Sequence, residues 1–265
     1  MMRSILIAAS LALAPAIPAF ADSPDIPGSW PPLVREALGA VHEGHEDDVW
    51  RFTLTANYGE MGEFTARFDS SRPEGEQWTL ISPASPAAMS DDLREEWIDM
   101  STPDEEEAPA EDGEEAEEDT GQSFGIGGEG SGLFFSADTA DLISGELNEL
   151  RRSGGRAVYS FAPNMSDDEE DSDADDFGRY LSGELTVAQS DPFVERIRIF
   201  APASFKPHPA ARIHEFEMEM EFARVDGLPG PIVREFSTRI DLSALFQRQS
   251  QDIRFTFSDV EYEAR

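Results

Sequence analysis

The sequence predicts a mainly β fold (α+β), in which a curved antiparallel sheet of about nine strands forms a half-open barrel with two or three short covering helices. Apolar and polar residues alternate with a period of two over much of the chain, which is typical of strands with one buried face. Patterns with helical period are few and short. The 265 residues include no cysteine, so packing alone must stabilise the fold, without disulfides or thiolate ligands.

The first 21 residues have the pattern of a secretory signal peptide. Arg3 precedes an apolar stretch from Ile5 to Ile17, and Ala19-Phe20-Ala21 provides a small-residue cleavage site. The stretch is too short for a membrane anchor, and Pro15 interrupts it. We expect cleavage after Ala21, a periplasmic or secreted protein, no transmembrane segment in the mature chain, and one β-rich domain over residues 22–265.

The charge is large and unevenly placed. The chain has 55 Asp and Glu against 20 Lys and Arg, a formal net charge of -35, which excludes nucleic acid because phosphate binding needs a basic surface. Residues 104–119 hold 11 acids in 16 positions, and residues 167–176 hold 8 in 10. Such runs repel themselves and offer little to bury, so we expect disordered acidic insertions at 102–131 and 164–178.

Three short helices are predicted. The first has Ser29 as its N-cap and prolines in its first turn, and it ends near Gly44. The second follows the N-cap Ser90 and carries Leu93, Trp97 and Met100 on one face. The third is expected over 138–152, because Leu142, Ile143, Leu147 and Leu150 recur at helical spacing.

Nine strands follow from the alternation, around 50–54, 64–68, 78–80, 159–161, 181–187, 197–199, 215–222, 232–240 and 253–262. In 215–222, four glutamates alternate with Phe and Met, a pattern that a helix would scatter. The alternation slips at Asp259, which predicts a β-bulge or the end of a strand. We expect the glutamates to pair across strands with arginines of neighbouring polar faces, namely Arg196, Arg198, Arg239 and Arg254.

The predicted helices cover only part of the apolar face of this sheet. An apolar surface as large as the part left exposed is unusual for a monomer. We therefore expect a non-enzymatic protein that binds an acyl chain or other amphiphilic or hydrophobic ligand in the concave face of the sheet. The expected cavity residues are Phe216, Met218, Met220, Phe222, Phe255 and Phe257, with Trp50, Phe52, Phe64 and Phe68 on the other wall. The alternative is that the same side chains form an ordinary packed core.

The order of elements over residues 29–263 resembles the LolA/LolB superfamily of lipoprotein carriers. A helix, three strands, a helical interruption and about six antiparallel strands follow a signal peptide. The resemblance consists of this topology and of the C-terminal alternation, and it includes no signature motif. It implies a half-open barrel with helices as a lid over an apolar cavity, and it implies no catalytic residues.

Motifs for catalysis or metal binding are weak. Gly125–Gly130 formally matches GxGxxG but follows an acidic linker instead of a strand. The run at Asp171 begins like an EF-hand, but Asp176 stands where glycine is required. His42 and His45 are three residues apart, unlike the HExxH arrangement. We predict no catalytic residue, metal or cofactor. The rival interpretations are a module that docks a cell-envelope protein through the open sheet or acidic loops and, less favoured, a hydrolase.

Overall fold

A computed structural model describes residues 26–42, 48–102, 133–164, 178–208, 211–244 and 247–265. The predicted signal peptide and both acidic runs lie outside these residues, as do the two expected insertions apart from Thr102, Asn164 and Gly178. In the described part of the chain, no helix has the length and apolar character needed to cross a membrane.

The described residues form three short helices and eleven strands. The helices are α1 (Pro32–Leu38), α2 (Asp91–Ser101) and α3 (Ala137–Asp141). The strands are β1 (Val49–Asn57), β2 (Glu63–Asp69), β3 (Trp78–Ser82), β4 (Ile143–Ser153), β5 (Arg156–Pro163), β6 (Ser182–Ala188), β7 (Val194–Phe200), β8 (Phe205–His208), β9 (Ala211–Ala223), β10 (Ile232–Ala244) and β11 (Gln247–Glu263).

All eleven strands belong to one antiparallel sheet. Its order is β3-β2-β1-β11-β10-β9-β7-β6-β5-β4, and β8 lies off this path beside β9. Because β3 and β4 stand at opposite ends of the order and do not pair, the sheet does not close into a barrel. The prediction of a mainly β fold, with one large antiparallel sheet that is not closed into a barrel and two or three short helices, is therefore confirmed, with eleven strands where about nine were expected.

One of the two additional strands, β4, replaces the helix predicted over 138–152, and that prediction is wrong. Only α3 is helical, and β4 pairs with β5 from Ile143 onward. Two register shifts, between Ser144 and Asn148 and between Glu149 and Arg151, insert extra residues into β4. These bulges break the period of two and leave the apolar residues at the spacing of a helix. The other additional strand, β8, lies between the seventh predicted strand and the strand before it, where no strand was predicted.

The helix N-termini match the predictions in one case and differ in the other. In α2, the backbone N–H of Leu93 donates to Ser90 Oγ at 3.3 Å, so the predicted cap is confirmed. In α1, the N-cap is Pro31 instead of Ser29, and the helix ends at Leu38, well before Gly44. Proline already has the backbone angle of a first helical turn, so α1 starts there without a capping side chain.

Strand register assigns the two sides of the sheet. The even positions of β1, from Trp50 to Ala56, are buried, and the intervening residues are half-buried. The predicted slip at Asp259 is confirmed as a bulge, since Arg51 pairs with Glu261 whereas Thr53 pairs with Ser258. Asp259 has a φ of 51°. We call the side that contains Trp50 the apolar face and the other side the polar face.

Two hydrophobic clusters pack on the apolar face. The α1 cluster joins Val34, Ala37 and Leu38 of the helix to buried residues of β5, β6, β7 and β9. The α2 cluster joins Leu93 and Trp97 to β1 and β2. The segment 133–136 runs between them, and its two central residues diverge, because Phe134 packs on Trp50 whereas Phe135 packs on Phe222. The helices therefore cover different flanks of the sheet, and this segment contacts both clusters.

Gly183 on β6 gives a test of this packing. Its cross-strand partner is Phe161, and an added Cβ would lie 2.3 Å from Phe161 Cζ, inside the α1 cluster. We expect Gly183→Ala to destabilise the protein by about 1–3 kcal/mol through overpacking, as measured by denaturant unfolding. Gly28→Ala is the matched control, since a Cβ added at Gly28 would meet no atom within 4 Å. Equal stability of the two variants would contradict this packing. In the Gly183→Ala variant, the second change Phe161→Leu should restore part of the lost stability.

Candidate functional site

The apolar face has a central strip that is less well covered than its flanks. Met218 on β9, Thr238 on β10 and Ile253 on β11 stand directly opposite one another in the sheet. Ile240 and Phe255 lie two residues along their strands on the same face. All five side chains are half-buried, whereas their neighbours Phe216, Met220, Phe236 and Phe257 are buried. We call these five residues the seam.

The seam lies between the two hydrophobic clusters. Met218 and Ile240 pack against the edge of the α1 cluster, Ile253 packs against the edge of the α2 cluster, and Phe255 packs against both. Phe255 also contacts the rings of Phe236 and Tyr58, with centroid distances of 6.1 and 5.8 Å. Since β9, β10 and β11 are central in the sheet, the half-buried seam falls at the middle of the apolar face.

The ten residues predicted to line a cavity all lie on the apolar face, but in two different environments. Eight are at most 5% exposed: Trp50, Phe52, Phe64, Phe68, Phe216, Met220, Phe222 and Phe257. The other two, Met218 and Phe255, belong to the seam. The predicted residues are therefore brought together as two flanks and a central strip, and the flanks are filled with side chains.

Ring contacts show how the α2 flank is filled. The rings of Phe52 and Phe68 stack at 5.0 Å, and Phe257 meets Phe52 edge-on at 5.7 Å. Trp97 of α2 meets Phe64 edge-on at 5.5 Å. Such offset and T-shaped pairs are the favoured aromatic geometries, so this flank is a packed core and leaves little room for a ligand.

Outside the hydrophobic contacts of the α2 flank, two polar contacts tie α2 to the residues that follow β1. Ser90 Oγ donates to the carbonyl of Met61 at 3.1 Å, which ties the start of the helix to the turn after β1. Farther along the helix, the Glu96 carboxyl lies near the hydroxyl of Tyr58, which directly follows β1. Ile98 on the outer side of the helix is 48% exposed. Among the described residues, the helix is therefore attached through Leu93, Trp97 and the half-buried Met100, together with these polar contacts.

The contact between Tyr58 and Glu96 is electrostatically costly when Glu96 is ionised. Burial raises the pKa of Glu96 above its ordinary value, and the nearby charges of Asp99 and Glu95 act in the same direction, while the hydrogen bond from Tyr58 lowers it. Burial is also the main cause of the raised pKa of Tyr58, with a further contribution from Glu96. The favoured state of this pair is a neutral tyrosine next to a carboxyl that is readily protonated.

The polar face shows the predicted pairing of glutamates with arginines. Glu217 accepts from Arg198 at 2.9 Å, Glu219 lies 3.5 Å from Arg196, and Glu215 lies 3.7 Å from Arg239. Arg254 pairs with Glu235 at 3.3 Å. The hydrogen bond from Arg198 lowers the pKa of Glu217. Exposed pairs of this kind contribute little individually, but they remove the repulsion between like charges on β9.

The seam presents almost entirely apolar side chains. Its five side chains offer one hydroxyl and no titratable group. Within the described ranges, no group of three or more His, Cys, Asp or Glu is placed to hold a metal ion. Of the histidine pair in the sequence motif, His45 lies outside the described residues, and His42 packs edge-on against Phe134 at 4.4 Å.

The comparisons with known proteins add no relative. No family model matches the chain, and neither a curated protein nor a solved structure matches it. The resemblance to the LolA/LolB carriers therefore stays a prediction.

Three seam residues, Thr238, Ile240 and Ile253, were not among the predicted site residues. Alternation along β10 and β11 places all three on the apolar face, so the sequence contained part of the signal. What it did not contain was the position of the covering helices, which decides whether an inward-facing residue is buried or half-buried.

Glu96 gives a pH-dependent prediction. Because the folded protein holds the Glu96 proton more tightly than the unfolded chain, its contribution to stability is greatest below the unfolded-state pKa and is lost as pH rises through the raised folded-state pKa. We expect Glu96→Gln to raise the melting temperature near pH 8 and to have little effect near pH 4. Glu36→Gln, on the exposed side of α1, removes the same charge and serves as the control. Thermal unfolding that shows an equal gain for both variants at pH 8 would contradict a specific cost at Glu96.

Proposed function

We propose that this protein binds an amphiphile with a single apolar chain, such as a fatty acid, at the seam. The observation that carries the proposal is the half-buried row of Met218, Thr238 and Ile253 at the middle of the apolar face, between the two buried clusters. The protein acts as a non-enzymatic carrier or sensor, and the predicted signal peptide delivers it to the periplasm or the exterior.

The separate attachment of the two flanks supports this proposal. A ligand that enters between the α1 cluster and the α2 cluster extends an apolar surface that already continues across the sheet. Met218 adapts to varied apolar shapes because its thioether side chain is unbranched and flexible.

The rival interpretation is a module that docks a cell-envelope protein through the open sheet. The edges of the sheet formed by the described residues give it less support. The edge strands β3 and β4 carry the exposed residues Ile81 and Leu150, which are 53% and 55% exposed. Ile81 lies at a register shift of β3, between the partners of Thr65 and Ala66. Leu150 lies at a register shift of β4, between Glu149 and Arg151. Bulges on edge strands disrupt the row of backbone groups that an added strand needs, so both edges are protected against strand addition.

Thr238→Val tests the seam as the binding site. The change removes a hydroxyl and adds a methyl group at the centre of the row, so an apolar chain lying there should bind more tightly by about 1 kcal/mol, or about fivefold. The measurement is a fluorescence titration with cis-parinaric acid, a naturally fluorescent fatty acid, on protein stripped of lipid. Thr256→Val is the matched control, because Thr256 is also half-buried on a central strand but lies on the polar face.

Met218→Gln should act in the opposite direction, since it places an amide of similar size in the same row and weakens binding about tenfold. Native mass spectrometry of protein expressed through a periplasm should show a co-purified lipid. An empty protein with no affinity for the fatty acid, or an equal response of Thr238→Val and Thr256→Val, would overturn the proposal.

A further inference from the structure

A groove of about 670 Å³ lies on the polar face, on the side of the sheet opposite the seam. It is formed by the β4–β5 hairpin together with β6, β7 and β9, and its lining includes three arginines, Arg151, Arg156 and Arg196. Glu195 and Glu221 also line it. In a chain with a formal net charge of -35, a groove with more cations than carboxylates is an exception.

The floor of this groove contains a buried hydroxyl group without a partner. Val158 and Thr186 stand opposite each other on β5 and β6, and they are 4% and 6% exposed although they lie on the polar face. Thr186 Oγ1 finds no hydrogen-bond partner among the described residues. Buried polar groups in proteins are nearly always paired, so the Thr186 hydroxyl is available as a donor to a molecule bound in the groove.

The arginines around Thr186 have hydrogen-bond donors to spare. Arg156 pairs with Glu195, and Arg196 lies 3.5 Å from Glu219, but one carboxylate occupies only part of the five N–H donors of a guanidinium group. Arg151 makes no ion pair with any described residue. Elsewhere on the polar face, Arg198 and Arg254 are likewise each matched with one glutamate, so Arg151 is the residue that distinguishes this groove from them.

We propose that the groove binds the oxyanion group of a polar organic acid, a carboxylate or a phosphate ester, between Arg151 and Arg196, with the Thr186 hydroxyl as a further donor. Guanidinium groups bind both kinds of oxyanion through paired hydrogen bonds. The groove is larger than an inorganic ion, and its remaining polar lining, Ser153 and Glu221, suits hydroxyl or amine groups on the rest of the ligand.

Isothermal titration calorimetry at low ionic strength tests this proposal with inorganic phosphate and citrate as probes. We expect saturable binding of one equivalent of at least one probe at millimolar concentrations. Thr186→Val keeps the shape of the side chain and should weaken binding about tenfold, since a hydrogen bond to a charged group is lost. Arg151→Gln should weaken binding at least as much, and a preference for phosphate or for citrate identifies the class of acid.

Arg67→Gln is the matched control, because Arg67 lies on the polar face of β2 outside the groove and pairs with Glu261. It lowers the positive charge by the same amount as Arg151→Gln and should leave binding unchanged. Absence of saturable binding for both probes overturns the proposal, and so does an equal loss in Arg67→Gln and Arg151→Gln, which would show diffuse charge attraction. Thermal unfolding confirms that each variant is folded. Because the seam lies on the other face, cis-parinaric acid binding should be unaltered in Thr186→Val, so this proposal and the carrier function fail independently.

Discussion

The apolar face of a single sheet has to be withdrawn from water, and among the described residues no second sheet packs against it. The chain contains no cysteine, so burial of apolar surface must supply most of the stability. Short helices and the segment 133–136 perform this task on two flanks, around α1 and around α2. A row of half-buried side chains remains where the two covers do not meet, and both the stability of the fold and its proposed binding function depend on that division.

The polar face is subject to a different constraint, because it concentrates like charges on neighbouring strands. Four glutamates of β9 are compatible with one another only because β7 and β10 present arginines opposite three of them. These glutamate–arginine pairs therefore permit the alternation that keeps the apolar side chains of β9 on one face. At the β4–β5 end of the polar face, arginines outnumber carboxylates in the lining of the groove around Thr186. The two proposed sites thus use opposite faces of the same sheet for opposite chemistry.

Much of the fold could be predicted from the sequence wherever a strand keeps a strict period of two. The pattern of β9 and the bulge at Asp259 are local properties, and both were predicted correctly. The helix expected over 138–152 was wrong because the bulges of β4 place Leu147 and Leu150 at helical spacing. Only pairing with β5 distinguishes the two conformations, and pairing is not a local property. The strand β8 is short and contains a proline, so alternation gave no signal for it.

The sequence by itself determined which side chains face inward, because strand geometry sends alternate residues to opposite sides of a sheet. All ten predicted cavity residues accordingly lie on the apolar face. The tertiary structure alone decided that eight of them are packed and that Met218 and Phe255 are half-buried, since this depends on where α1 and α2 lie over the sheet. It also decided that Arg151, Thr186 and Arg196, which are distant in sequence, line one groove. Strand order brings such residues together, and strand order is fixed by long-range pairing that no local pattern encodes.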